Sequence, residues 1–130
     1  LEDKKVLDKF SNSFNLLVDY IDNQDVNLYI NFIVDQLFTA NKYFNDQEPW
    51  KKKDDINRLN TIVYVSLELI RKITILLYPI MPETSLKVLN IYGIKENQID
   101  FNSISNHEFL KPNIKINKLE ILFKKIDKND

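Results

Sequence analysis

The chain has 130 residues, of which 44% are hydrophobic and 28% are charged, so it can bury the core of one globular domain. It has no cysteine, which excludes disulfides and thiolate metal sites, and no apolar run of about 18 residues that would span a membrane. The net charge of −1 argues against a free-standing nucleic-acid-binding domain.

The first residues contain neither an initiator methionine nor a basic-then-apolar signal sequence. We therefore expect a piece of a longer chain. The absence of cysteine fits a cytoplasmic protein. Because no apolar run is long enough to span a membrane, we expect no membrane partner.

Apolar residues recur at three- and four-residue steps through the start of the chain, which predicts one amphipathic helix over about residues 3–22. A polar break with possible N-cap side chains follows, and a second stripe predicts a helix over about residues 26–46. The predicted inward faces of these two helices are Val6, Phe10, Phe14, Leu17 and Ile21, then Val26, Ile30, Ile33, Leu37, Ala40 and Phe44.

The second predicted helix stops at Pro49, and the only tryptophan of the chain, Trp50, follows at once. Proline fixes its own backbone and lacks a donor, so the tryptophan side chain is held in a defined direction. Lys51, Lys52 and Lys53 come next. This arrangement suits a platform on which an unpaired nucleobase stacks while the lysines hold phosphate. It also suits a tryptophan packed back onto a helical bundle, although a buried tryptophan rarely leads straight into three solvated charges.

The charge along the chain changes sign at the same point. Residues 1–48 carry four lysines and nine acidic residues, whereas residues 49–78 carry six basic and three acidic residues. A polyanion should therefore approach the junction after residue 49 rather than the first two helices. Arg58, a little further along, is a further candidate for contact with an RNA backbone, although it could pair with a carboxylate instead.

The third predicted helix, over about residues 55–77, has the most buried pattern, and Asp54 or Asp55 can cap its start. We expect Val63, Ile70 and Leu77 to broaden its core face. The main stripe of that face is Leu59, Ile62, Ser66, Leu69, Ile73 and Leu76.

A bend with two prolines follows, and Pro82 suits the first turn of a short fourth helix over about residues 82–91. Gly93, the only glycine, is a helix C-terminal signal. Residues 94–130 are less periodic and predict an irregular tail. A final turn or short helix is expected in this tail near Leu119, Leu122, Phe123 and Ile126.

These elements predict an all-α fold in one domain of residues 1–130. It consists of antiparallel helices joined by short connections, with an irregular C-terminal segment that wraps back. One glycine cannot build a glycine-rich phosphate loop, and no histidine, cysteine or glutamate spacing predicts a metal site. The chain is therefore expected to bind rather than to catalyse.

Two motifs at matching spacing carry a family resemblance. Ala40-Asn41-Lys42-Tyr43-Phe44 followed by Glu48-Pro49-Trp50 resembles the signature of the anticodon-binding domain of methionyl-tRNA synthetases. Leu77-Tyr78-Pro79-Ile80-Met81-Pro82 is similar to the family's Leu-x-Pro-x-Met-Pro turn. Gly93 and the pair Leu122-Phe123 are weaker matches near the end of the chain.

The resemblance implies a helical bundle that recognises the CAU anticodon of methionine tRNA. It implies that Trp50, positioned by Pro49, stacks on an anticodon base, and that other contacts of the family lie upstream of Leu1. It also implies a separate catalytic domain in the full-length chain, which binds ATP and methionine, so this part holds no cofactor. The expected partners are tRNA and that catalytic domain, not DNA.

Two alternatives remain at this point. The chain could be the anticodon-binding domain of another class I tRNA ligase, since several of these share a helical bundle. It could also be a helical protein-interaction module without an RNA role, which would bury Trp50 or place it against a protein.

Overall fold

The computed structural model describes residues 2–105, 110–111 and 113–124. These residues form α-helices and short 3₁₀ turns and contain no strand, which confirms the all-α prediction. Over the same ranges, no helix is both long enough and apolar enough to cross a membrane. The α-helices are α1 (Glu2–Asn12), α2 (Phe14–Asp22), α3 (Val26–Gln47), α4 (Ile56–Leu77) and α5 (Pro82–Ile91), and the 3₁₀ turns are Pro49–Lys51, Glu96–Gln98 and Phe101–Ser105.

The predicted helix over residues 3–22 is two helices, because the chain breaks between α1 and α2 at Ser13. The Ser13 amide donates to Phe10 O at 3.1 Å, only three residues back, and its hydroxyl donates to Lys9 O at 2.7 Å. A serine hydroxyl bonded to the preceding turn competes with the regular helical pattern and bends the chain. The prediction of one continuous helix was therefore wrong. Phe10 and Leu17, on either side of the break, are fully buried, whereas Ile21 is exposed.

α3 buries a different face from the one predicted. Of the predicted stripe only Ile33 is buried, and the tyrosines Tyr29 and Tyr43 face the core instead. Each tyrosine places its ring among apolar side chains and its hydroxyl on a partner, as Tyr29 does by donating to Leu76 O at 2.6 Å. α3 is apolar on two sides, and spacing alone does not decide which side faces the core. The exposed members of the predicted stripe are Val26, Ile30, Leu37 and Phe44.

α4 is the central helix and packs against α3, α5 and α1. Four residues of the predicted stripe are buried, namely Ile62, Leu69, Ile73 and Leu76, whereas Leu59 and Ser66 are half-buried. Burial is wider than one stripe near the end of the helix, where every residue from 71 to 76 is buried. Val63 and Ile70, which were expected to broaden the core face, are exposed instead. They lie on the side of α4 that continues the exposed apolar side of α3.

Three charged side chains of α4, Glu68, Arg71 and Lys72, are fully buried, and we call them the clasp. Arg71 Nη2 pairs with Glu68 Oε2 at 2.9 Å and also donates to Ser103 O at 3.0 Å. The other carboxylate oxygen, Glu68 Oε1, accepts from the Leu110 amide at 2.7 Å. The clasp therefore holds the beginning of the tail against α4, mainly through main-chain atoms of the tail.

Lys72 completes the clasp by donating to Ile104 O. Burial, with the neighbouring Arg71 charge, lowers the pKa of the Lys72 ammonium to about 8. Ser105 is bonded from the other side, where the Ser11 hydroxyl of α1 donates to its carbonyl at 3.2 Å. This segment therefore wraps back between α1 and α4, as predicted.

The last described part of the tail, residues 113–124, contains no helix. Its Asn117 amide donates to Ile91 O at 3.2 Å, so the segment lies along α5. The predicted turn or helix near Leu119 is therefore absent up to residue 124, and Ile126 lies outside the described residues. The spacing of apolar residues was misleading here because Leu119 and Phe123, two of the four residues behind the prediction, are exposed rather than packed.

Gly93 ends α5 in the way the sequence predicted. Its φ of +74° lies in the left-handed region, and its amide donates to Asn90 O at 3.0 Å. The next amide, of Ile94, donates to Leu89 O at 3.1 Å. This pair of hydrogen bonds is the Schellman motif, in which glycine is preferred because it has no side chain to strain the backbone.

We expect Gly93→Ala to lower the free energy of unfolding by about 1 kcal/mol, because alanine at this φ is strained. A new Cβ would meet no heavy atom within 4 Å, so no steric clash adds to the loss. Gly93→Asn should lose less, since asparagine tolerates the left-handed region. Urea unfolding of the three proteins measures the difference, and an alanine variant as stable as the parent would contradict the explanation.

Candidate nucleic-acid interface

The turn that carries Trp50 is fixed by its backbone. Glu48 has a φ of +45° and ends α3, with its amide donating to Asn45 O at 3.2 Å. Pro49 is buried and opens the 3₁₀ turn. The Lys51 amide then donates to Glu48 O at 2.9 Å and the Lys52 amide to Pro49 O at 3.0 Å. Trp50 therefore stands on a short hydrogen-bonded turn and not on a loose loop.

Trp50 is 51% exposed and leans against Phe44, the last aromatic residue of α3. The two ring centroids lie 6.1 Å apart, with the ring planes at 59°. Such a tilted pair is an attractive aromatic arrangement that supports the indole from one side. The packed alternative considered from sequence would have buried the indole, and the structure instead leaves half of its surface open.

The three lysines after Trp50 differ in their surroundings. Lys51 Nζ pairs with Glu48 Oε1 at 2.7 Å across an exposed surface. Lys52 is half-buried, and Lys53 is exposed. An exposed ion pair of this kind contributes only about 0–1 kcal/mol, so a phosphate could replace Glu48 at little cost.

Arg58 forms a bridge between the start of α1 and the start of α4. Its guanidinium donates to both oxygens of Asp3, at 2.6 and 2.9 Å, and also to Gln47 Oε1. The Tyr43 hydroxyl donates to Asp3 Oδ1 at 2.6 Å. The α4 N-cap, Asp55, accepts from the Arg58 amide at 3.0 Å. The side chain offered from sequence as a candidate RNA contact is thus already engaged by a carboxylate.

The Asp3–Arg58 bridge should show in the acid stability of the chain. Hydrogen bonds from Arg58 are the main cause that lowers the pKa of Asp3 below its ordinary value of 3.8. A lowered native pKa means that the bridge stabilises the fold above the unfolded pKa and is lost as the pH falls through the native pKa. We expect Asp3→Asn to destabilise at pH 7 and the loss to shrink below pH 3.8. Urea unfolding of both proteins from pH 2 to pH 7 measures this, and a loss that does not vary with pH would contradict it.

Sequence reasoning left open that Arg58 pairs with a carboxylate, but it could not identify Asp3 as the partner. Asp3 and Arg58 are 55 residues apart, and no local pattern relates two positions at that distance.

Asn41, one turn before Phe44, is exposed on the same side of α3 as Phe44. Among the described residues, no group of three or more histidine, aspartate or glutamate side chains is placed to hold a metal ion.

Residues 2–130 match the protein family described as the anticodon-binding domain of methionyl-tRNA ligase. The chain belongs to this family. The match covers almost the whole sequence, including the Pro49-Trp50 turn and the bend before α5.

The chain is also similar to part of several full-length proteins that are named methionine–tRNA ligases, which agrees with the family match. The methionine–tRNA ligase of Thermotoga maritima is 39% identical over 93 residues, which cover 70% of this chain and 15% of the relative. That of Mycobacterium leprae is 36% identical over 89 residues, covering 65% of this chain and 17% of the relative. That of Methanosphaera stadtmanae is 30% identical over 137 residues, covering 96% of this chain and 20% of the relative. This anticodon-binding domain thus spans a fifth or less of the relatives it matches, and lies in their C-terminal region.

In this anticodon-binding domain, the aromatic pair, the lysines and the end of α3 lie on one end of the bundle. The clasp and the tail lie further along α4, after residue 67. The turn is therefore held by α3, α4 and the Asp3–Arg58 bridge. It can present one open aromatic face beside cationic side chains without a rearrangement of the core.

Proposed function

We propose that this domain recognises the CAU anticodon of methionine tRNA and that Trp50 stacks on one unpaired anticodon base. The observation that carries the proposal is the half-exposed indole on the turn at Pro49, supported from behind by Phe44. A base stacked on an aromatic side chain gains about 1–3 kcal/mol in single-strand recognition. Stacking alone accepts any base, so the order C-A-U would be distinguished by hydrogen bonds around the stacked base.

The lysines after Trp50 are the proposed contacts to the RNA backbone. Lys53 is exposed, and the ion pair of Lys51 with Glu48 lies on an exposed surface. Arg58 is the weaker candidate, since it would have to leave Asp3 to reach a phosphate. The excess of basic residues in residues 49–78 supports an approach of RNA from this end.

The same proposal makes this domain part of a methionine–tRNA ligase, which attaches methionine to its tRNA with ATP. The names of the relatives support it, as does the small fraction of their length that the chain spans. A catalytic domain elsewhere in the parent would bind ATP and methionine, so this domain needs no cofactor. Its partners would be tRNA and that catalytic domain, in the cytoplasm, with neither DNA nor a membrane involved.

Titration with anticodon stem-loops tests the proposal directly, because Trp50 is the only tryptophan in the chain. We expect a loop with CAU to quench the indole fluorescence and a loop with the same bases in scrambled order to bind more weakly. Binding should weaken with salt by a slope of about 0.7 per phosphate contact. Lys52→Ala with Lys53→Ala should weaken both loops equally and reduce that slope. Quenching that is identical for both loops would overturn recognition of the anticodon.

A further inference from the structure

The two helices that flank the Trp50 turn are joined to each other by side chains outside the turn. Gln47 is the last residue of α3 and precedes Trp50, whereas Arg58 lies in the first turn of α4 and follows it. The Arg58 guanidinium donates to Gln47 Oε1. This hydrogen bond closes the segment from residue 47 to residue 58 into a loop, and Trp50 lies inside that loop.

Arg58 is itself held in place by Asp3 of α1. Two guanidinium nitrogens donate to the two Asp3 carboxylate oxygens at 2.6 and 2.9 Å, a bidentate geometry that fixes the orientation of the arginine. The Tyr43 hydroxyl donates to the same carboxylate at 2.6 Å, and Gln47 Nε2 donates to Glu2 Oε2 at 3.2 Å. The first turn of α1, the last turn of α3 and the first turn of α4 therefore meet at Arg58.

The Trp50 turn depends on such outside contacts for its direction. Its own backbone hydrogen bonds fix its internal shape, but they do not fix its position on the bundle. Glu48, which begins the turn, has a φ of +45°, a backbone conformation that persists in a residue with a side chain where the surroundings impose it. Pro49 is buried on one side of Glu48, and Gln47 is held by Arg58 on the other.

The same contacts make Arg58 poorly placed to bind RNA directly. Its side chain is 30% exposed, and its charge is paired with Asp3, so the bridge as a whole offers no net charge to a phosphate. If Arg58 left Asp3 to reach a phosphate, it would also release Gln47, at the end of α3 that carries the turn.

We propose that Arg58 is a positioning residue for anticodon recognition. By joining Gln47 to the start of α4, it fixes the direction in which Trp50 presents its open face, and it does so without touching the RNA. The inference rests on the proposed function, because the side chain that is positioned is the proposed stacking surface.

A double-mutant cycle in the full-length ligase separates positioning from a direct contact. We expect Arg58→Met to lower kcat/KM for tRNA methionylation by about fivefold, the size of a coupling within one hydrogen-bond network, and to leave methionine activation unchanged. In a protein that already carries Trp50→Ala, the same substitution should cost about twofold or less, because the side chain to be positioned is gone. A fivefold effect that persists without Trp50, or no effect of Arg58→Met at all, would overturn the proposal.

Arg58→Lys tests the alternative contact with phosphate. Lysine keeps the positive charge but cannot bind Asp3 and Gln47 together with one planar group, so we expect it to lose about as much activity as Arg58→Met. Parent-like activity in Arg58→Lys, or a reduced salt dependence of tRNA binding in Arg58→Met, would indicate a phosphate contact and overturn the proposal. Gly93→Ala, at the end of α5, is the control for a modest loss of stability away from the turn, and it should leave methionylation unchanged.

Hydrogen exchange of the full-length ligase without tRNA gives a measurement that does not use anticodon recognition. The Lys51 and Lys52 amides donate to oxygens within the turn, so their exchange reports on it. We expect the peptide that contains them to exchange about fivefold faster in Arg58→Met, with no change in α5. Equal exchange in the two proteins, or faster exchange across the whole domain, would show that Arg58 does not act on the turn. A failure of the proposed function would be seen separately, as a Trp50→Ala variant with unchanged methionylation.

Discussion

Trp50→Ala in the full-length ligase should lower kcat/KM for tRNA methionylation by about 5- to 150-fold, the loss that corresponds to about 1–3 kcal/mol of base stacking. Activation of methionine by ATP should be unchanged, because it takes place in the proposed catalytic domain and needs no anticodon. Only the tRNA-dependent reaction should suffer, because one side of the indole packs on Phe44 and the other is open to a base. Alanine removes that open stacking surface. Aminoacylation and pyrophosphate exchange, measured on the same preparation, separate the two reactions.

Two control variants sharpen this test. Trp50→Phe keeps an aromatic face and should retain part of the tRNA-dependent rate. Ile56→Ala removes another exposed apolar residue, at the start of α4, and should leave both reactions unchanged. An equal loss of methionylation and methionine activation in Trp50→Ala would show that the tryptophan stabilises the fold of the ligase and does not bind the anticodon.

Arg71→Met should cost about 3–5 kcal/mol of folding free energy, because it leaves the Glu68 carboxylate buried without its ion-pair partner. It also removes the hydrogen bond to Ser103 O, so the tail should loosen before the whole domain unfolds. Urea unfolding measures the first effect. Hydrogen exchange of the Leu110 amide, which donates to Glu68, measures the second.

Arg58→Met is the matched control for this prediction. Its ion pair with Asp3 is partly exposed, so solvent reduces its contribution and we expect a loss of only about 1 kcal/mol. Glu68→Gln provides a milder change in the clasp, since glutamine can still accept from the Leu110 amide. Equal losses in Arg71→Met and Arg58→Met would show that burial of the Arg71–Glu68 pair does not determine its contribution.

The long elements of the fold follow from local chemistry. Helices predicted over about residues 26–46 and 55–77 are found at Val26–Gln47 and Ile56–Leu77. The local signals were Pro49 after the end of α3 and the Asp55 cap at the start of α4. The exposed position of Trp50 was anticipated as one of two alternatives, from the lysines that follow it. Its role in RNA binding stays a prediction.

The remaining features depend on contacts between distant residues. Spacing identified α3 as a helix but could not show that Tyr29 and Tyr43 turn inward, since α3 is apolar on two sides. The burial of Glu68 and Arg71 was equally hidden, because the tail atoms that they bind, Ser103 O and the Leu110 amide, lie more than 30 residues later. The break at Ser13 is a local exception, because the serine hydroxyl can bond to the preceding turn inside a continuous helix as well as at a break.

The contacts of α1 also determine when it can fold during synthesis. Several of its partners are made much later, since Asp3 meets Arg58 after 55 residues and Ser11 meets Ser105 after 94 residues. At about 5–20 residues per second, the second interval is roughly 5–19 s on the ribosome. α3 and α4 are neighbours in sequence and can pair as soon as both have emerged. During that interval α1 can already contact α2 and α3, but the part of its apolar face that packs on α4 and the tail is uncovered at first. That part is then the region of the nascent domain that a chaperone would bind.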